Sequence, residues 1–109
     1  MTPEEFVKNF YIERQRLVNL YFHGKEQTDV SSMIQSLNLD NEALMTVKEI
    51  ILATLRDAFY TTLLGLDGEA QIGDTQETYR LTDEQGNELT GGQIESFAWE
   101  YFHNSKTSL

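Results

Sequence analysis

Gly68 separates two kinds of sequence, and this change constrains the fold more than any other feature of the chain. Before it, apolar residues recur at helical spacing. After it, Gly68, Gly73, Gly86, Gly91 and Gly92 punctuate the chain, and Thr, Tyr and Gln replace Leu and Ala. The first part therefore reads as helices, and the second as turns and short strands with one closing helix.

The first helix has a clear start. Thr2 can cap it, Pro3 suits the first helical position, and Glu5 completes a capping box. Phe6, Phe10, Leu17 and Tyr21, with Val7, Val18 and Phe22, keep helical spacing, and Gly24 reads as a left-handed stop, so the helix is expected over about residues 3–23. A polar loop from Lys25 to Asp29 leads into a short helix over Val30 to Leu39, capped by Thr28 or Asp29. Asp40 caps a long helix that runs to about Gly65. Leu44, Val47, Ile51, Leu55, Ala58 and Thr62 form its stripe, and Ala43, Ile50, Phe59, Leu63 and Leu66 widen it. So broad an apolar arc predicts a central helix with neighbours on more than one side.

Beyond Gly68, Thr75 to Thr82 is rich in strand formers around Tyr79 and Leu81. Asp83-Glu84-Gln85-Gly86-Asn87 reads as a turn, and Glu88-Leu89-Thr90 as the returning strand. Ala70-Gln71-Ile72 can add a short third strand. Thr90 and Gln93 suggest a second capping box before the stripe Ile94, Phe97, Ala98, Tyr101 and Phe102, which ends near His103-Asn104. Residues Ser105 to Leu109 read as a frayed tail. The expected class is α+β: two main N-terminal helices with a short one between them, a small antiparallel β-sheet with its hairpin near 75–90, and a C-terminal helix. A lone hairpin is marginal in water, so Ile72, Tyr79 and Leu81 are expected to face the helices.

At 109 residues the chain reads as a single domain spanning 1–109, large enough for a core without a staple. It has no cysteine, which excludes disulfides and thiol chemistry in this sequence. The acidic N-terminal residues show no signal-peptide pattern, and no run approaches the length of a membrane span, so a soluble cytosolic protein is expected.

Charge is unevenly spread. From Asp67 onward nine acidic residues face only Arg80 and Lys106, a net −7 of the total −10. Like charge crowded at one end costs stability through self-repulsion. A basic protein partner meeting this end would explain it, and so would solubility. The same charge argues against nucleic acid as a direct ligand and against anionic membranes. The residues expected to meet a partner are Asp67, Glu69, Asp74, Glu77, Asp83, Glu84 and Glu88. Trp99 joins them as an aromatic anchor beside the last helix's stripe, the residue type favoured at binding hot spots.

Chemistry-bearing patterns are sparse. The acidic runs at 67–69 and 83–88 lack the alternating ligands of a calcium loop. Tyr21-Phe22-His23 and Tyr101-Phe102-His103 repeat one tripeptide near two helix ends, where His suits the helix dipole. A functional pair would need those ends to meet. Gly91-Gly92 matches neither a P-loop nor a dinucleotide fingerprint. No catalytic residue, metal site or cofactor is expected.

The segments Leu63-Leu64-Gly65-Leu66-Asp67-Gly68, Tyr79-Arg80-Leu81 with Asp83-Glu84-Gln85-Gly86-Asn87, and Ile94-Glu95 through Trp99-Glu100-Tyr101-Phe102 resemble small uncharacterised bacterial proteins. Their style is similar to that of immunity proteins of bacterial toxin systems: short, acidic, cysteine-free and cytosolic. The resemblance covers residues 63–102 and assigns no functional residues. It implies a non-enzymatic inhibitor that neutralises a basic toxin, for example a nuclease. Two other readings stand beside it: a small ligand-binding or enzymatic domain using His23, His103 and carboxylates, and a dimeric structural or adaptor protein that pairs through the broad stripe of the long helix.

Overall fold

A computed structural model describes residues 1–104. The tail expectation for Ser105–Leu109 lies outside them. Among the described residues four helices make up the regular structure: α1 (Pro3–His23), α2 (Asp29–Ser36), α3 (Asn41–Leu66) and α4 (Ile94–Phe102). Their starts follow the sequence closely. Thr2 and Glu5 form the reciprocal capping box of α1, Thr28 caps α2 with Ser31 reaching back, and the Asp40 carboxylate accepts from the Ala43 N–H at 2.8 Å. Gly24 ends α1 in an extended conformation (φ −73°), not the left-handed one expected. The reason for glycine there is space, because a Cβ would collide with the Leu20 carbonyl.

The hydrophobic core lies where α1, α3 and α4 meet. Val7, Leu63, Ile94, Ala98 and Phe102 are buried, and aromatic rings close around them. Phe10 meets Phe6 edge-on at 5.2 Å and Phe59 at 5.5 Å, while Tyr11 meets Phe102 at 6.0 Å. Side by side, α1 and α3 run antiparallel, with Phe10 against Phe59, Arg14 reaching the Leu52 carbonyl, and Phe22 and His23 beside Leu44. Helix α2 packs on α1 and does not meet α3. Long α3 is therefore flanked by α1 and α4, and its buried residues are only Leu63 and Gly65, near its C-terminus. The radius of gyration is 16.1 Å, against about 13 Å for a compact domain of this length.

The expected α+β class is not what forms. Among the described residues there is no sheet, and the 75–90 hairpin is replaced by irregular chain with two isolated bridges, Ile72 with Thr75 and Thr82 with Glu88. The Asp83–Asn87 turn does form, closed by Asp83 N–H to the Asn87 carbonyl at 3.1 Å. What fails is the ladder. The Leu81 N–H bonds the Thr90 hydroxyl at 3.1 Å, and the Gln85 and Asn87 N–H groups bond the Asp83 carboxylate at 3.0 and 2.9 Å. Asp and Thr side chains thus compete with strand partners for backbone donors. The expected helix-facing residues also divide: Leu81 is half-buried, Ile72 lies over Gly65 of α3 although it stays partly open to solvent, and Tyr79 is exposed. The second capping box is absent as well. Thr90 is engaged by Leu81, and Gln93 makes no side-chain cap. Among the described residues no helix is long and apolar enough to cross a membrane.

Candidate functional site

The segment between α3 and α4, residues 67–93, holds most of the acidic residues read from the sequence, and two of them fasten it in place. Asp67 follows α3 and is buried. Its Oδ1 accepts from the Gly91 and Gly92 N–H groups, each at 2.8 Å, and its Oδ2 from the Glu95 N–H at 3.3 Å. Asp67 thereby caps α4 from 28 residues away and closes the loop at its base. A carboxylate is unfavourable at the negative end of α3 but favourable at the positive end of α4. Three N–H donors decide the balance. Gly91 and Gly92, with φ of +129° and +110°, supply the backbone turn that aims two of these donors inward.

Asp83 holds the far end. Its carboxylate takes the Gln85 and Asn87 N–H groups, the Asn87 side-chain amide at 3.0 Å and the Met1 amino group at 2.9 Å. The Asn87 amide, then the Met1 ammonium, hold its pKa well below the ordinary carboxylate range, and Asp83 in turn raises the pKa of that ammonium. Leu89 and Thr90 are buried, and Gln76 donates to the Gly68 carbonyl at 2.9 Å.

The remaining expected residues lie outward. Glu69, Asp74, Glu77, Glu84 and Glu88 are exposed, and every residue from Gln71 to Arg80 is exposed. Glu88 pairs with Arg80 at 3.1 Å. Glu69, Asp74, Glu77 and Glu84 have no ion-pair partner among the described residues. The seven acidic residues thus divide into two that brace the loop and five that face solvent.

Trp99 is 55% exposed on α4. It stacks on His103 at 5.0 Å, and His103 also meets the Tyr60 edge at 4.4 Å. Burial raises the Tyr60 pKa, helped by nearby Glu95. Tyr11 and Tyr60 pack against the core. His23 lies beside Leu44, Met45 and Lys48, whereas His103 lies beside Tyr60. Those stretches of α3 are about 20 Å apart along the helix, so the two histidines do not meet. Among the described residues no group of three His, Asp or Glu side chains is placed to hold a metal ion.

Two features escaped sequence reading. Arg14 is 2% exposed; its guanidinium lies 5.3 Å from the Tyr11 ring and 5.2 Å from the Phe102 ring, and its Nε has no hydrogen-bond partner. Burial lowers its pKa. A cation on a helix face otherwise read by its apolar stripe gives no sequence signal of burial. The cap that Asp67 supplies to α4 is long-range, and no local motif encodes it. Comparison with protein-family models, curated proteins and solved structures finds no match.

Proposed function

We propose that this protein is a small cytosolic protein-binding module that inhibits a basic partner, in the manner of an immunity protein neutralising a toxin such as a nuclease. The observation that carries the reading is the division of labour in segment 67–93. Asp67 and Asp83 fix the segment, and Glu69, Asp74, Glu77, Glu84 and Glu88 project from it. A fixed array of carboxylates steers a cationic partner and loses little freedom on binding. A nuclease must carry positive charge to hold phosphates, so it presents the complementary surface. Exposed Trp99 is the apolar anchor of the same proposal.

The test is capture from an extract of the native host at low salt and again at high salt. Wild type is compared with a triple variant, Glu69→Lys, Glu77→Lys and Glu84→Lys. The expected result is one basic protein held at low salt, weakened at high salt and lost to the triple variant. Retention that ignores both salt and charge reversal would contradict the acidic surface. Retention lost only in Trp99→Ala would move the interface to α4.

A further inference from the structure

The sequence pattern calls for neighbours on more than one side of α3, yet the N-terminal half of α3 has one side open. Ala43, Val47, Ile50, Ile51, Thr54 and Ala58 share a face, none of them is buried, and Ile50 is 57% exposed. At about 100° per residue, no charged side chain of α3 falls within roughly 80° of the Val47 direction. Glu42, Lys48, Glu49 and Arg56 lie off this face, and Asp57 stands at its edge, one heptad beyond Ile50.

Its hydroxyls are already satisfied. Thr54 donates to the Ile50 carbonyl at 2.7 Å and Thr62 to the Ala58 carbonyl at 2.7 Å. Covering such a face leaves no hydroxyl without a partner, which is the usual cost of desolvating a polar side chain. At its far end the face is closed by the chain itself, where Ile72 lies over Gly65. From Ala43 to Ala58 no other helix covers it, since α2 does not reach α3.

We propose that a second copy of this chain covers this face, with the two α3 helices antiparallel about a two-fold axis near Ile50–Ile51. Two observations favour a second copy. The first is area. A compact monomer of this mass exposes about 6,200 Å², whereas this chain exposes 7331 Å². The excess, roughly 1,100 Å², is a whole-chain figure that includes the open segment 71–80, and a standard interface takes about 800 Å² from one partner. The second is charge. Two chains of net charge −10 approach most readily where charge is sparse, and the middle of this face, from Val47 through Ile50 and Ile51 to Thr54, carries none. The antiparallel arrangement also sends the two acidic segments to opposite ends, where a parallel one would bring them together. An isologous contact of this kind closes at two subunits.

Sedimentation of the full chain over a range of concentrations tests the proposal. Wild type is expected at twice the 12.6 kDa chain mass. Ile50→Glu and Thr54→Glu each place a charge in the contact and are expected to weaken the dimer by a factor of about 100 or more. Both sites are exposed in the single chain, so helicity by circular dichroism stays unchanged. Ile12→Glu, at an exposed site on α1, leaves the dimer intact. The chain has no cysteine, so Thr61→Cys can carry a single spin label. Antiparallel pairing puts the two labels about 30 Å apart along the helix axis. A wild type that sediments as a monomer at every concentration would overturn the proposal. So would a dimer that survives both glutamates, or labels in near contact.

Discussion

Asp67 is the side chain on which the arrangement of α4 most depends. An isolated helix of nine residues is marginal in water, and this one takes its cap from across the loop. Asp67→Ala leaves three backbone donors without their acceptor and is expected to cost about 2–3 kcal/mol in chemical denaturation. Asp67→Asn keeps one acceptor oxygen and is expected to cost less. Arg14 tests the opposite kind of burial. Its contacts with Tyr11 and Phe102 are worth up to about 2 kcal/mol each when desolvated. Against them stand the several kcal/mol of guanidinium desolvation and the unbonded Nε. The desolvation side is the larger, so Arg14→Met is expected to be neutral or stabilising by about 1 kcal/mol. Arg14→Lys loses the planar stacking without relieving the burial and is expected to destabilise. Asp83 sets a pH dependence. Its folded pKa lies below the unfolded value of about 3.9, so its contribution is fully present above that value and is lost as pH falls through the folded one. Thermal melts taken downward from neutral pH should therefore show a smaller acid loss in Asp83→Asn than in wild type.

At the scale of elements, local signals were legible and long-range ones were not. Thr2 and Glu5, Thr28, and Asp40 set three helix starts because each cap is complete within four residues of sequence. The fourth start misled, because Thr90 and Gln93 offer a capping pattern while the actual cap is Asp67. The hairpin misled for a related reason. Tyr79 and Leu81 are good strand residues, but Asp83 and Thr90 take the donors a ladder would need. The acidic surface was legible as charge. Its partition into bracing and outward residues was not, because burial of Asp67 depends on where α4 sits. Gly65 offers a check at this scale. Ile72 occupies the space a side chain at Gly65 would take. Gly65→Ala gains about 1 kcal/mol of helix propensity and gives back a similar amount by displacing Ile72. Global stability should change little, while limited proteolysis within residues 70–76 should accelerate. Introducing Ile72→Ala into both the wild type and the Gly65→Ala variant should abolish the difference in cleavage between them.

For the whole molecule, the core at the meeting of α1, α3 and α4 leaves two surfaces of different character, the acidic segment 67–93 and the open apolar face of α3. Neither follows from secondary structure alone. The acidic segment matters for recognition only if it is held in one arrangement, because a flexible chain would give up the advantage of a fixed array on binding. Amide hydrogen exchange on the intact protein measures this directly and requires no partner. The expected result is protection at Gly91, Gly92 and Glu95, which donate to Asp67, and at Leu81, Asn87 and Leu89, which donate within the loop. Protection at the first three should vanish in Asp67→Ala. Exchange of all six at the rate of unstructured chain in the wild type would show that no braced surface exists, and would contradict the reading of segment 67–93 as a preformed site.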